Sequence, residues 1–277
     1  MPELPEVETI KRDLEREIVG KRIKTVEVSG TRSIRRGTKK QFIGRLEGAK
    51  VTGVQRKGKY LLLKLDTGDL LVVHLRMSGQ LLKAVAKDPV AKHTHVTLTL
   101  QPAGQLRFVD PRTFGEMFVS DPEHLAEDAP ELATLGFDPL DEPISWIDFG
   151  RMLIAKPVQL KAFLMDQHLI AGIGNIYSDE ILYAAGLRYD RMSDTLTTQD
   201  IRRLYRAVVE VMHEAVKHRG SSLADEQYRD LFGRVGGYQN EHQAYGREGL
   251  ACRRCRNTIE RAKYQGRSTF YCPSCQV

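Results

Sequence analysis

The sequence predicts an α+β protein with two domains, on the basis of three observations. One amphipathic helix opens the chain, and segments of period-two apolar alternation follow it up to residue 119. Helix-spaced apolar residues dominate from residue 145 onward, and all four cysteines lie between residues 252 and 275. We therefore predict a helix with an antiparallel β-sandwich or barrel, then a helical domain, then a cysteine module.

The N-terminal domain follows from two periodicities. Val7, Ile10, Leu14 and Ile18 recur at helical spacing, and Gly20 ends the run. Short strands separated by Gly, Asp and Lys turns are then predicted at residues 23–28, 51–54, 60–63, 70–75, 96–100, 106–109 and 117–119.

Changes in composition set the predicted domain boundaries. Residues 1–120 form the N-terminal domain, and the acidic, Pro-containing stretch 121–144 is a linker that begins with a short helix and continues as a connection. Residues 145–249 form the helical domain, with a Gly-rich polar loop after its last helix, and residues 250–277 form the cysteine module. Apolar residues at helical spacing predict helices near 145–155, 159–166, 175–185 and 198–218.

The charge is basic overall and unevenly distributed. The formal net charge is +6, and the pI is about 9.1. Residues 32–64 hold eleven Lys or Arg and one acid, and residues 252–275 hold six and one. Two basic blocks around an acidic middle predict two walls that bind a polyanion such as DNA. With no apolar run of the ~20 residues that span a bilayer and no export signal, a cytosolic protein without membrane contact is expected.

The cysteines have the spacing of a metal site. Cys252 and Cys255 form one Cys-x2-Cys pair, Cys272 and Cys275 form another, and 16 residues separate the pairs. Four thiolates at this spacing predict a tetrahedral zinc site on a β-hairpin. Two disulfides are the alternative, and a cytosolic chain disfavours them. The zinc would be structural, since four thiolates leave no open position for chemistry.

Residues Met1 to Glu6 suggest amine chemistry. Removal of Met1 would expose a secondary α-amine on Pro2, whose pKa near ~8 leaves a neutral fraction able to form an iminium. Glu3 and Glu6 are nearby carboxylates. Pro and Glu are also ordinary residues for a first helical turn, so the stretch alone supports either interpretation.

A second suggestive stretch is Gly172-Ile173-Gly174-Asn175, at the start of a predicted helix. Backbone amides at a helix start favour an anion, here a DNA phosphate. A plain turn between helices is the alternative.

Six ordered motifs together resemble bacterial formamidopyrimidine-DNA glycosylase over essentially the whole chain. They are Pro2 to Thr9, Gly58 to Leu61, His74 to Gly79, Asp110 to Gly115, Gly172 to Tyr177, and Tyr245 to Arg247 running into the cysteine module. The resemblance implies a helix and β-sandwich domain, a helix–two-turn–helix domain and a zinc finger, with damaged double-stranded DNA bound between the domains.

The resemblance also implies roles for single residues. Pro2 would be the nucleophile, Glu3 the acid-base catalyst, and Glu6 a residue that helps order the nucleophile and the first turn. Lys59 would be a further catalytic residue, in contact with the damaged nucleotide or its phosphate. Met77, Arg112 and Phe114 would fill the gap left by a flipped base, with Arg112 reading the orphaned cytosine. Asn175 and Arg267 would grip phosphates.

The implied protein is a monomeric bacterial enzyme of the cytoplasm and nucleoid. It would excise oxidised purines and cleave the strand, with one structural zinc and no redox cofactor. An endonuclease VIII-like glycosylase for oxidised pyrimidines and a non-catalytic damaged-DNA-binding protein are the alternatives.

The chain departs from the family pattern at two places. Thr113 stands where a second arginine is usual, which would loosen that loop. The loop expected to close over the flipped base, near 219–238, begins Arg219-Gly220-Ser221-Ser222 and then diverges, which could alter lesion preference.

Overall fold

The computed structural model describes residues 1–277 as two compact units, each built from two chain segments. The first unit comprises Met1–Thr134 and His218–Gly237, and the second comprises Leu135–Lys217 and Tyr238–Val277. The predicted α+β class, with a helix and antiparallel sheets followed by helices and a β-hairpin, is confirmed. None of the helices combines the length and the apolar character needed to cross a membrane.

The first unit is a β-sandwich with a long helix, α1 (Leu4–Ile18), packed on β2. Its eight strands are β1 (Arg22–Val28), β2 (Val51–Lys57), β3 (Tyr60–Leu65), β4 (Leu70–His74), β5 (Gln80–Ala84), β6 (Thr94–Gln101), β7 (Gln105–Val109) and β8 (Glu116–Ser120). They form two antiparallel sheets in the orders β1-β6-β7-β5 and β2-β3-β4-β8.

One apolar core joins the two sheets and α1. It contains Ile23 and Leu98 from one sheet, Leu61 and Val73 from the other, and Ile10 from the helix. Alternating strand residues reach this core because successive side chains point to opposite faces of a sheet. The period-two alternation in the sequence therefore predicted those strands whose core-facing side chains are apolar along the whole strand.

Two elements of this unit were not predicted. The helix α2 (Lys39–Leu46) buries only Phe42 and Leu46, and Thr38 and Gln41 cap it reciprocally. The edge strand β5 has only one fully buried side chain, Leu81. Neither segment has enough buried apolar residues to produce a clear period.

The first unit extends past the predicted boundary at residue 120. Two short helices follow β8, α3 (Leu125–Asp128) and α4 (Pro130–Ala133). Their acids pair with the sandwich: Glu131 forms a salt bridge with Arg36 and accepts a hydrogen bond from the Tyr60 hydroxyl at 3.1 Å. The first half of the stretch 121–144 therefore belongs to the first unit, and the Glu131 carboxylate attaches it to the sandwich.

The first unit also includes a segment from late in the chain, His218–Gly237, here called the 218–237 segment. The sequence placed it with the helical domain. In the structure Tyr228 and Leu231 belong to the sandwich core, and the Lys83 amide of β5 donates to the Leu231 carbonyl at 2.8 Å. Packing of these two side chains attaches the segment to the sandwich.

The second unit contains the four predicted helices and the hairpin. The helices are α5 (Trp146–Ala155), α6 (Leu160–Met165), α7 (Asn175–Ala185) and α8 (Thr198–Lys217), and the hairpin consists of β9 (Glu260–Tyr264) and β10 (Arg267–Tyr271). α7 packs against both α6 and α8, and it also contacts β10. The side chains of α7 are nearly all buried, so this helix is the centre of the unit.

Candidate functional site

The start of α1 is buried and tightly hydrogen-bonded. Pro2 is buried, and Glu3 is the N-cap residue. The Glu3 carboxylate accepts from the Glu6 amide, and the Glu3 amide donates to Glu6 Oε2 at 2.8 Å. This reciprocal pair satisfies two amides that a helix start leaves without partners. It fixes the backbone that immediately follows Pro2.

Glu6 also connects α1 to the 218–237 segment. Its second oxygen, Oε1, accepts a hydrogen bond from the Ser221 amide at 2.6 Å. The carboxylate is almost fully buried, so it bridges two backbone amides away from water. The sequence analysis assigned Glu6 to ordering the nucleophile and the first turn; its contact with Ser221, 215 residues away, was not predicted.

Lys59 lies in the two-residue turn between β2 and β3 and is largely buried. Its charge acts on His74 of β4. His74 is the pairing partner of Tyr60, the residue that directly follows Lys59. Burial, together with the nearby cations Arg76 and Lys59, lowers the pKa of His74 to about 3. His74 is therefore neutral at pH 7, and its Nδ1 accepts the Arg76 amide at 2.9 Å.

Met77, Arg112 and Phe114 lie on two loops of the sandwich that are tied together. Ser78 Oγ donates to the buried Asp110 carboxylate at 2.5 Å. The same carboxylate accepts the amides of Arg112 at 3.1 Å and Gly115 at 2.7 Å. Asp110 therefore holds both loops from beneath.

The three side chains carried by these loops point outward. Met77 is 41% exposed and Phe114 is 50% exposed, so both apolar side chains are accessible from solvent. The Arg112 guanidinium lies over the Phe114 ring, 4.8 Å from its centroid. An apolar pair and a stacked cation held on pinned loops form a surface suited to contact nucleobases.

Thr113 adopts a left-handed backbone conformation, with φ +55°. β-branched residues rarely adopt it because Cβ crowds the following carbonyl. The loop is nevertheless held, since its hydrogen bonds run to Asp110 and none of them involves the Thr113 side chain. The departure from arginine at this position therefore leaves the support of Arg112 in place.

Asn175 and Arg267 lie together in the second unit. Asn175 begins α7, and its Nδ2 donates to the Ser268 carbonyl at 3.0 Å. Its Oδ1 is buried without a hydrogen-bond partner. Arg267 is exposed and begins β10, directly after a hairpin turn in which Gln265 and Gly266 both have positive φ. The helix start and the hairpin tip form one surface with a free guanidinium.

Two acids of α7 that the sequence analysis did not single out hold this surface. Asp179 accepts from Lys161 Nζ at 2.5 Å, Thr269 Oγ1 at 2.6 Å and the Phe270 amide at 2.9 Å. Asp179 and Lys161 are both completely inaccessible to solvent. The carboxylate thus attaches β10 to α7.

The neighbouring Glu180 secures the chain that enters the cysteine module. It accepts the amides of Gln243, Ala244 and Tyr245 at 2.8, 2.9 and 2.8 Å. The sequence signal that could have revealed these two residues is the adjacent acids Asp179 and Glu180 within the apolar run of α7. A buried carboxylate requires hydrogen-bond donors from the surrounding chain.

The four cysteines converge on one point. Their Sγ atoms all lie within 4.8 Å of one another, with 3.8 Å between Cys252 and Cys275 and 3.5 Å between Cys255 and Cys272. Zn–S bonds of about 2.3 Å in a tetrahedron require S–S separations of this size, whereas a disulfide requires about 2 Å. The Arg254 and Cys275 amides donate to Sγ atoms, as outer partners of a zinc site do. The donor set fits one zinc ion.

Comparison with known proteins gives matches along the whole chain. The formamidopyrimidine-DNA glycosylase N-terminal domain matches residues 1–117, its H2TH domain matches residues 135–227, and a zinc finger found in FPG and IleRS matches residues 249–277. The formamidopyrimidine-DNA glycosylase of Desulfitobacterium hafniense is 40% identical over 278 residues, covering 100% of both chains.

The chain belongs to the formamidopyrimidine-DNA glycosylase family. The MutM (Fpg) protein of Thermus thermophilus has a TM-score of 0.88 and 41% identity, covering 99% of this chain and 98% of that one. A variant of the Lactococcus lactis Fpg, in a complex with Fapy-dG containing DNA, has a TM-score of 0.90 and 34% identity, covering 99% of both chains.

The family assignment confirms the recognition made from the six motifs and the structural zinc. Cys252, Cys255, Cys272 and Cys275 are the zinc ligands of the family's finger domain. Residues 228–248 fall outside the three matched domain segments and include the second half of the 218–237 segment, whereas the Desulfitobacterium hafniense relative aligns with them as well.

Proposed function

We propose that this member of the formamidopyrimidine-DNA glycosylase family is a bifunctional DNA glycosylase and AP lyase for oxidised purines in duplex DNA, among them 8-oxoguanine and formamidopyrimidines. One observation carries the proposal: Pro2 is buried directly before a capped helix whose N-cap is the carboxylate Glu3. Family membership and the Fapy-dG complex of the Lactococcus lactis relative support the substrate class.

The proposed chemistry begins with the mature N-terminus. Once Met1 is removed, the neutral secondary amine of Pro2 attacks C1′ of the damaged nucleotide and the base leaves with the glycosidic electron pair. Glu3 supplies protons to the departing base and the opening sugar ring. The product of this step is a covalent iminium between Pro2 nitrogen and C1′.

The iminium then drives strand cleavage. It acidifies the C2′ proton, so β-elimination breaks the bond to the 3′ phosphate. A second elimination breaks the bond to the 5′ phosphate, and water hydrolyses the remaining adduct to release the enzyme. These steps move protons and electron pairs only, so none of them changes an oxidation state.

The DNA contacts are proposed residue by residue. A nucleotide must leave the stack before C1′ is reachable, which costs a few kcal/mol. Met77 and Phe114 would fill the vacated space, and Arg112 would offer donors to the edge of the orphaned cytosine. Asn175 and Arg267 would bind phosphates near the lesion, and Lys59 would contact the damaged nucleotide. The protein would act as a monomer.

Borohydride trapping tests the catalytic proposal. Reduction of the iminium should link mature wild-type protein covalently to 8-oxoguanine:cytosine duplex, and Pro2→Gly should lose most of this product. Pro5→Ala, which also changes the first helical turn but keeps the amine, is the matched control and should still be trapped. The mass of the N-terminus must show that Met1 is absent, since Pro2 is otherwise an amide. Mature protein that binds lesion DNA without any trapped product would contradict the proposal.

The substrate class is tested separately. Duplexes with 8-oxoguanine or thymine glycol distinguish oxidised purines from pyrimidines as substrates. Cleavage of the thymine glycol duplex alone would favour the endonuclease VIII-like alternative.

A further inference from the structure

The 218–237 segment is built into the first unit. The Gly237 amide donates to the His218 carbonyl at 2.8 Å and closes the base of the segment. Leu231 is fully buried in the sandwich core, and its carbonyl pairs with the edge strand β5. Within the segment, Ser222 Oγ donates to the Tyr228 carbonyl at 2.8 Å. These contacts give the segment a defined backbone.

One buried carboxylate organises the far end of the segment. Asp230 Oδ1 accepts the amides of Phe232 and Arg234, each at 2.9 Å. Its Oδ2 accepts Arg219 Nε at 3.1 Å and Nη2 at 2.6 Å. Asp230 therefore joins the two ends of the segment through one side chain.

Arg219 extends this arrangement to α1. The same guanidinium bonds both carboxylate oxygens of Asp13, at 2.5 Å and 3.4 Å. Asp13 and Asp230 are only 2% and 1% exposed. Two buried carboxylates share one planar cation, a geometry that arginine provides and lysine does not. The bridge Asp13–Arg219–Asp230 thus links the segment to the helix that carries the Pro2 terminus.

The two attachments to α1 lie on one face of that helix. Glu6 binds Ser221 and Asp13 binds Arg219, and seven residues separate the two acids. Seven residues are nearly two full helical turns, so both side chains project in the same direction. α1 therefore presents a pair of carboxylates on which the start of the segment is fixed at two points.

We propose that Asp13 and Arg219 are positioning residues that favour base-bearing lesions over abasic sites. By holding the 218–237 segment on α1, they position the loop that the resemblance to the family leads us to expect over a flipped base. A lesion that keeps its base needs this loop, whereas an abasic site has no base to enclose and reaches Pro2 without it. This inference rests on the proposed function of the same site.

The test compares two substrates and two variants in the full-length protein. Single-turnover cleavage is measured on 8-oxoguanine:cytosine duplex and on the same duplex with an abasic site. Asp13→Asn and Arg219→Lys should each slow cleavage of the 8-oxoguanine duplex by about tenfold or more, the scale of a lost charge-assisted hydrogen bond. Abasic cleavage should change by less than about twofold, because Pro2 and Glu3 are untouched.

A second measurement does not depend on activity. Hydrogen exchange of the amides between residues 220 and 236 should quicken in both variants in the absence of DNA. Asp69→Asn is the matched control, since it breaks another bidentate Arg–Asp bridge of the first unit, with Arg45. It should leave both the exchange of the segment and the substrate ratio unchanged.

The outcomes separate this inference from the proposed function. Equal losses on both duplexes, or no loss on either, would overturn the positioning role. Unchanged exchange in the segment would also overturn it. If wild-type protein cleaved neither duplex, the proposed function would fail, while exchange would still decide whether the bridge holds the segment.

Discussion

Gly220 of the 218–237 segment lies close against Glu6 of α1. Its φ is +75°, and a Cβ added there would lie 2.5 Å from Glu6 Oε1. Gly220→Ala should therefore combine the left-handed backbone cost with a clash against a buried carboxylate. We expect Gly220→Ala to lower the unfolding free energy by about 1–3 kcal/mol more than backbone strain alone would lower it. Urea unfolding followed by circular dichroism measures it.

Gly233 provides the matched control for this prediction. It lies in the same segment with φ +76°, and nothing lies within 4 Å of an added Cβ. Gly233→Ala should cost only the backbone term of about 1 kcal/mol. Equal losses in the two variants would mean that Glu6 moves aside without cost.

Thr113 offers the opposite change, a stabilising substitution. A β-branched residue at φ +55° is strained, and asparagine tolerates this conformation better. Thr113→Asn should raise the unfolding free energy by about 1 kcal/mol. Thr113→Ala, which removes the branch but lacks the amide, should fall between the two in the same urea titration. A lower stability for Thr113→Asn would show that the threonine side chain supports the loop after all.

Among the elements, α7 depends on an ion pair that water cannot reach. Asp179→Asn would leave the Lys161 cation buried without its counter-charge, which typically costs about 3–5 kcal/mol. The change should be visible in urea unfolding monitored by Trp146, the only tryptophan, which lies in the second unit. The half-exposed pair Arg188–Asp190 is the control, and Asp190→Asn should cost less than about 1 kcal/mol.

A double variant shows whether the buried charge is the cause. Replacing both partners, as Lys161→Met with Asp179→Asn, should recover much of the loss because no unpaired ion remains. If the double variant is no more stable than Asp179→Asn, the damage comes from the lost hydrogen bonds to Thr269 and Phe270 instead.

The elements also show what the sequence was able to predict. α1, α8 and the main strands were predicted because each has an apolar row at the period of its own geometry. The zinc site was predicted because chelation requires a fixed spacing of cysteines. α2 and β5 bury too few side chains to show a period, so they were missed.

The candidate site was predicted unevenly for a related reason. Local motifs led us to predict roles for Pro2, Glu3 and the two loops that carry Met77, Arg112 and Phe114. The contacts that hold them, Glu6 with Ser221 and Arg219 with Asp13, join residues more than 200 positions apart. No local pattern encodes such a pairing, and without an alignment only the folded structure reveals it.

At the scale of the whole molecule, two buried histidines should make stability depend on pH. The pKa of His74 in the first unit is lowered to about 3 by burial and nearby cations, and burial lowers the pKa of His242 in the second unit to about 4. Both are neutral when folded, whereas in the unfolded chain they bind protons near pH ~6.5. Unfolding therefore takes up protons, and stability that is present above pH ~6.5 is lost as the pH falls towards about 4.

The expected loss is measurable in each unit. At pH 5 each histidine should lower the unfolding free energy by about 2 kcal/mol relative to its value at neutral pH. His74→Asn and His242→Asn should each flatten the pH dependence of urea unfolding, the second one as reported by Trp146. The exposed His213 is the control, and His213→Asn should leave the slope as it is. A slope that persists in the double histidine variant would assign the acid sensitivity to carboxylates.

The two-segment construction of the first unit has a consequence during synthesis. A ribosome completes residue 134 about 100 residues before it completes residue 237, an interval of roughly 5–20 s at ordinary elongation rates. Throughout that interval the sandwich core lacks Tyr228 and Leu231, and α1 has acids at Glu6 and Asp13 with no partners from the later segment. The nascent chain thus carries α1 long before the segment that is fixed on it has been made, and the helices of the second unit emerge in between.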